Sequence, residues 1–387
     1  MKYDFNFYNP TRIHFGVSSL DMLKNEMEKY GKKILLVYGK ASIKKIGLYD
    51  KILNILEECN KEVYELSGVG SNPTYAKMME GCRIARQEGV DFILAVGGGS
   101  VIDCSKGIAA GTYSVEDPFQ KYYISNDKIN NKVIPLGTVL TMVGTGSEMN
   151  TGSVITNTQL KLKKGHNYEE VMYPKFSILD PTLTYSVPQY QMLSGIFDIM
   201  SHLMEQYFSG DDDNVSDYLV EALLKSLIAN TPKAIANPKD YEVRSNIMWA
   251  STMALNGLMG LSKTQDWMVH SIEHQVGAYT FCAHGMGLAA VSPSYYRYIY
   301  KDGLAKFVRF AKNVWNVDII GKTDDEVARE GISCLEKFIA ESQMVTNLSD
   351  LGVTTEMVHD IAYSTDLGGG YKAMTHEDVL EVLKEAM

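Results

Sequence analysis

Four of the eight histidines fall on two short segments and the turn that follows the second. Residues 192–204 are apolar on nearly every side, so the helix they form is expected to be buried. Within it Asp198 and His202 are four residues apart, on one helix face. A carboxylate buried there costs on the order of several kcal/mol unless it is paired or bound to a cation. Residues 267–277 repeat the spacing with His270 and His274, and the turn Ala283-His284-Gly285 follows. One carboxylate oxygen with imidazoles and no thiolate is a donor set for Fe²⁺ or Zn²⁺ with an open position. A competing chemistry uses the same letters. His270-Ser271-Ile272-Glu273-His274 reads as H-x-x-E-H, a zinc metallopeptidase pattern in which Glu273 is the general base. That reading leaves Asp198, His202 and the glycine loops below without a task.

The segment from Val96 to Asp103, with Gly97, Gly98, Gly99 and Ser100 at its centre, follows an apolar strand and opens a helix. Glycines there let a ligand approach the backbone, and the free N–H groups of the new helix favour a phosphate. A tight turn that binds nothing explains one such loop, and the spacing is not G-x-G-x-x-G. A second polar, glycine-rich loop, residues 137–148, follows the next strand. Two loops at the carboxyl ends of parallel strands are where a dinucleotide lies across an open sheet. After the first strand come Gly39, Lys40, Ala41, Ser42, Ile43, Lys44 and Lys45, with no carboxylate for a ribose 2′-hydroxyl. A hydroxyl and three cations favour a 2′-phosphate, hence NADP(H) over NAD(H), although a solvated helix start explains the same lysines.

The elements that must position these groups change character along the chain. Residues 33–38, 62–66, 92–96, 133–136 and 176–179 read as strands, the first an apolar run after Lys33 and the third fully apolar. Helical patterns at residues 50–59 and 75–88 separate them, which implies a parallel sheet covered on both faces. Beyond Asp180-Pro181 the periods are helical, with long runs at residues 192–207 and 214–228. Two domains are therefore expected: an α/β domain over residues 1–184 with a parallel, Rossmann-like sheet, and an all-α domain over 185–387. Asp211-Asp212-Asp213 reads as a solvated loop, since it lacks the glycine turn and terminal glutamate of a calcium loop.

The 387 residues suit two domains, and the net charge of −10 argues against nucleic acid or an anionic membrane surface as the main partner. The five cysteines form no C-x-x-C pair, which points away from a disulfide framework or a thiolate zinc site. With no apolar leader and no membrane-length run, a reducing cytoplasm is the expected setting.

Taken together, Gly97-Gly98-Gly99-Ser100-x-x-Asp103, Thr145-Gly146-Ser147-Glu148, Leu179-Asp180-Pro181, Asp198-x-x-x-His202, His270-x-x-x-His274 and His284-Gly285 resemble the iron-containing (group III) alcohol dehydrogenase family over essentially the whole chain. Within it they are most similar to the butanol dehydrogenase and broad aldehyde reductase branch. The resemblance implies a dehydroquinate synthase-like architecture and metal ligation by Asp198, His202, His270 and His284. It also implies that Gly97, Gly98, Gly99, Ser100 and Asp103 hold the pyrophosphate and its surroundings. Thr138, Leu140, Thr141 and Ser147 would line the rest of the cofactor groove, and Lys164 would border the cofactor. Gly39 stands where NAD-preferring members carry Asp. His274, outside the ligand set, matches the proposed proton-relay position. The implied substrates are small aliphatic aldehydes or alcohols, in a mostly apolar pocket near Asn150, Leu261 and Trp267, and the implied assembly is a homodimer. A nucleotide-binding protein that keeps the fold without the chemistry is the further alternative, against which the complete ligand set argues.

Overall fold

The computed structural model describes residue 1 and residues 3–210 and 213–387. They form two compact units, residues 8–187 and residues 188–387 together with 1–7. The first unit contains strands β1 (Arg12–Phe15), β2 (Lys33–Tyr38), β3 (Glu62–Leu66), β4 (Phe92–Gly97), β5 (Leu136–Leu140), β6 (Gly152–Asn157), β7 (Leu162–Asn167) and β8 (Phe176–Leu179). Its helices are α1 (Met22–Met27), α2 (Ser42–Lys45), α3 (Leu48–Glu58), α4 (Tyr75–Glu88) and α5 (Gly99–Gly111).

Six strands make one parallel sheet in the order β1-β8-β5-β4-β2-β3. The apolar runs of β2 and β4 supply side chains to both faces. Ile34, Leu36, Tyr38, Leu94 and Val96 pack with Leu23, Ile43, Ile52 and Leu56 of α1 to α3. Helices α4 and α5 pack on each other, α4 against β3 and α5 against β4. From β2 the chain crosses outward to β3, and from β4 it crosses the other way to β5. The carboxyl ends of β2 and β4 therefore flank a topological switch point, where an open sheet leaves a crevice for a ligand. Gly39 follows one of these strands and Gly97 closes the other.

One expectation is corrected here, and one element is added. The strand anticipated at residues 133–136 runs instead from Leu136 to Leu140. Pro135 has no N–H for a ladder and only accepts, from the Ile93 N–H at 3.0 Å. Gly137, Thr138, Val139 and Leu140 consequently belong to a buried strand, and the loop begins at Thr141. The antiparallel hairpin β6–β7 was not foreseen, because its turn carries neither Gly nor Pro and uses Lys161 at φ 51° instead.

The second unit contains only helices among its described residues: α6 (Gln189–Tyr207), α7 (Val215–Ala236), α8 (Tyr241–Ala254), α9 (Met268–Thr280), α10 (His284–Ile299), α11 (Leu304–Trp315), α12 (Asp324–Glu341), α13 (Thr355–Ser364) and α14 (His376–Glu385), besides a short 3-10 turn. Their starts follow local chemistry. Asn214 and Asp240 cap α7 and α8, and Thr323 with Glu326 forms a capping box on α12. Of the acidic triplet, Asp213 pairs with Arg309, while Asp211 and Asp212 lie outside the described residues. Among the described residues no helix is long and apolar enough to cross a membrane.

Candidate functional site

In the helical unit, α6 is buried from Met192 to Tyr207, as its all-round apolar sequence requires. It carries Asp198 and His202 one turn apart. Helix α10 begins at His284 and packs directly on α6. A side chain at Gly285 would overlap the Ser194 carbonyl, and the Gly285 N–H donates to Ser194 Oγ at 3.0 Å. Gly287 in turn lets α10 lie close against the Glu273 side chain of α9, where a Cβ would come within 2.7 Å of it. These two small residues let three helices approach within reach of one point.

That point is Asp198 Oδ1. The Nε2 atoms of His202, His270 and His284 each lie 3.5 Å from it. Donors bonded at about 2.1 Å in a tetrahedral set are separated by about 3.4 Å, so this spacing fits one divalent ion. Asp198 Oδ1 and His270 Nε2 are buried and have no hydrogen-bond partner. Buried polar atoms left without a hydrogen bond in a native site call for a ligand or an ion. The residues present therefore fit a first-row divalent metal.

The imidazoles are aimed from behind. His270 Nδ1 meets Glu205, whose Oε1 also accepts from Ser201 Oγ at 2.8 Å, and His284 Nδ1 meets Glu273. Both glutamates are fully buried. A carboxylate on Nδ1 fixes the tautomer that presents Nε2 to a metal. The electrostatics carry the same message. Burial pushes the His202 imidazole down to about 4. Burial also opposes charge on His270, but Glu205 and Asp198 beside it outweigh that and drive it up to about 10. Burial likewise opposes ionisation of Asp198, yet the His202 and His284 rings hold its carboxyl well below the usual range. Three buried carboxylates facing one another's imidazoles need a positive charge among them, and an ion supplies it without protonating the ligands.

His274 stands beside this set. Its ring centre lies 5.8 Å from that of His284 and 6.3 Å from that of His270, and it is half-buried. The peptidase reading of this helix is corrected: Glu273 is fully buried and bound to His284, so it is not placed to activate a water. Trp267 takes a left-handed backbone at φ 70°, donates to Gln265 Oε1 at 2.8 Å and sets its ring against His202 and His270.

In the α/β unit, Gly98 caps α5 and the glycines beside it are required by packing. A side chain at Gly97 would overlap Val101, and one at Gly99 would overlap Thr145 of the second loop. The Thr141 N–H donates to the Gly97 carbonyl at 3.0 Å, which ties the two loops at their roots. Thr138 and Leu140 lie inside the sheet, with the Thr138 hydroxyl donating to Ser177 Oγ at 2.8 Å. Asp103 and Ser147 are also buried and bonded to each other at 2.6 Å. These four shape the loops from beneath, whereas Ser100 and Thr141 are half-buried beside them. Lys164 stands on β7 opposite Ile155. Asn150 Oδ1 accepts from the Gly152 N–H at 2.9 Å, and its side-chain amide donates to the Thr145 carbonyl at 3.3 Å. At the end of β2, Ser42 opens α2, and Lys44 sits 4.3 Å from the centre of the Tyr49 ring.

Glu205 was missed in the sequence reading, although its signal was present. Asp198, His202 and Glu205 follow an i, i+4, i+7 spacing on an otherwise apolar helix, where an isolated glutamate has no reason to be buried.

Comparison with known proteins agrees with this geometry. Residues 10–181 match the family described as iron-containing alcohol dehydrogenase, and residues 192–387 match the C-terminal part of the Fe-containing alcohol dehydrogenase family. NADH-dependent butanol dehydrogenase A of Clostridium acetobutylicum is 40% identical, over 99% of this chain and 99% of its own. NADPH-dependent aldehyde reductase YqhD of Escherichia coli is 36% identical, over 90% and 89%. The crystal structure of NADH-dependent butanol dehydrogenase A from Thermotoga maritima superposes with a TM-score of 0.95 at 35% identity, covering 100% of this chain and 99% of that one. With a sheet carrying two glycine loops, a helical unit focused on Asp198, and both halves matched along their length, the chain belongs to the iron-containing alcohol dehydrogenase family and is an alcohol dehydrogenase or aldehyde reductase.

Proposed function

We propose that the protein reduces small aliphatic aldehydes such as butanal, and oxidises the matching alcohols, with NADP(H) preferred over NAD(H). Asp198, His202, His270 and His284 would hold one Fe²⁺ or Zn²⁺. The observation that carries this reading is the meeting of three imidazole nitrogens at one carboxylate oxygen, each 3.5 Å away. When bound, the ion supplies a Lewis acid for a carbonyl oxygen and the nicotinamide supplies a hydride.

The chain's own residues do the rest. Glu205 and Glu273 keep Nε2 of His270 and His284 turned toward the donor set. His274, half-buried and outside that set, holds the proton that the new hydroxyl takes up. Gly97, Gly98, Gly99 and Ser100 present the first N–H groups of α5 to the pyrophosphate. Thr141 and Lys164 border the cofactor, and the Trp267 ring borders the substrate. The unbridged cysteines suit a reducing cytoplasm, and a homodimer is the assembly expected of it.

Cofactor choice rests on Gly39. The Clostridium relative is named for NADH and the Escherichia relative for NADPH, so the preference is open to a direct test. A Cβ at Gly39 would meet only the Val69 carbonyl, at 3.4 Å, an ordinary contact, and no positive φ stands against a side chain there. The unaltered protein should consume NADPH with butanal, and Gly39→Asp should shift the ratio of kcat/KM values toward NADH by at least about tenfold, through like-charge repulsion of a 2′-phosphate. An unchanged ratio would place the ribose elsewhere. No turnover with either cofactor would contradict the proposed reaction.

A further inference from the structure

Lys106 is fully buried on α5, two turns beyond the first glycine loop. A lysine with no exposure is uncommon, and its long side chain loses all its freedom there. Its ammonium makes three hydrogen bonds, and all of them go to the short stretch that leads from the second loop into β6: Ser147 Oγ at 2.8 Å, Asn150 Oδ1 at 3.0 Å and the Gly152 carbonyl at 2.8 Å. Asp103, one turn earlier on the same helix, grips the same stretch. Its carboxylate accepts from Ser147 Oγ at 2.6 Å and from the Val154 N–H at 2.9 Å, while its carbonyl accepts from Ser153 Oγ at 2.8 Å. Two oppositely charged residues on one helix face thus bind residues 147–154 at six points, five through their side chains and one through the Asp103 carbonyl.

We infer that Lys106 is a positioning residue for the nicotinamide cofactor, fixing the second loop at a set distance from the phosphate-facing start of α5. This rests on the proposed use of NAD(P)H. The first loop is the N-terminus of α5, so any side chain that ties the second loop to α5 sets the width of the groove between the two. Thr145, which packs on Gly99, also accepts from the Ser147 N–H at 3.2 Å, so displacing Ser147 moves the residue that touches the first loop. Burying this ammonium has an electrostatic cost that its partners offset. Burial pushes the Lys106 ammonium down to about 8, with Asp103 and Glu148 holding it up. An apolar side chain would be the cheaper way to fill this space if filling it were the only task.

The test compares the unaltered protein with Lys106→Met and Asn150→Ala. NADPH and NADH binding is measured by fluorescence, together with kcat and KM for butanal reduction and bound metal per chain. Lys106→Met should weaken cofactor binding by about tenfold or more, since groove geometry is sensitive to small displacements. At saturating cofactor kcat should stay within about threefold, and bound metal should be unchanged, because the donor set lies in the other unit. Asn150→Ala, which removes one of the three acceptors, should give a smaller loss of the same kind. Cofactor affinity within twofold of the unaltered protein in both variants would overturn the inference, as would a parallel fall in kcat and bound metal. If Lys106→Met does not fold, Asn150→Ala decides alone: weaker binding supports the inference and unchanged binding overturns it. If the unaltered protein itself binds neither cofactor, the nicotinamide reading fails along with the inference, and that result is distinct from a failure confined to the variants.

Discussion

His270→Ala is expected to empty the metal centre while sparing the nucleotide loops. Removing one imidazole leaves Asp198 Oδ1 with two nitrogen neighbours at 3.5 Å, from His202 and His284. Loss of an outer carboxylate alone costs roughly 10–100-fold in metal affinity, so loss of a ligand should leave well under about a tenth of the metal bound. Butanal reduction should fall by at least ~10³-fold, more than the roughly 10²–10³ lost with a single oxyanion donor. The fold should survive. Glu205 keeps its bond from Ser201 Oγ at 2.8 Å and the bond from the backbone N–H of residue 270 at 3.1 Å, so its buried carboxylate is not stranded. NAD(P)H affinity should remain within about threefold, because no cofactor contact is removed. The measurements are metal content, steady-state turnover and cofactor fluorescence on one preparation. Normal turnover with the metal retained would remove His270 from the donor set.

Gly99→Ala should strike the other half of the chemistry. The added methyl group would overlap Thr145, and Thr145 accepts from Ser147, so the second loop must move. Overpacking of this kind costs about 1–3 kcal/mol of stability. The larger effect should be on cofactor binding, with KM for NADPH rising by about 10²-fold, the penalty of roughly ångström-scale misplacement. Metal content should be unaffected. The contact gives its own control: adding Thr145→Gly removes the overlapping atoms and should restore part of the affinity. No recovery in the double variant would assign the loss to the helix start itself and not to contact between the loops.

What could be read from the sequence, and what could not, follows from which interactions were local. The Asp198–His202 and His270–His274 pairs are one-turn spacings, visible without a structure, and the apolar surroundings of 192–204 marked the carboxylate as needing a partner. The strands at 33–38 and 92–97 announced themselves because burial on both faces leaves an unbroken apolar run. The strand at 136–140 did not. Gly137 and Thr138 resemble a turn, and only the Phe176 ring packed over Gly137 explains a glycine there. Thr138 is polar by composition yet satisfied by Ser177, a partner 39 positions away. Lys106 is of the same kind: it looks like an ordinary charged residue on a helix until its distant partner, Ser147, is placed beside it. Spacing exposes pairs within one helix, whereas groups assembled from separate elements become evident only once the fold is known.

The most direct test of the account is metal reconstitution. Protein purified without oxygen is stripped with a chelator, Fe²⁺ or Zn²⁺ is titrated back, and bound metal and butanal reduction by NADPH are read at each point. Saturation is expected at about one ion per chain, with activity rising in proportion to occupancy from essentially zero. Full turnover by protein that holds no divalent ion would contradict it.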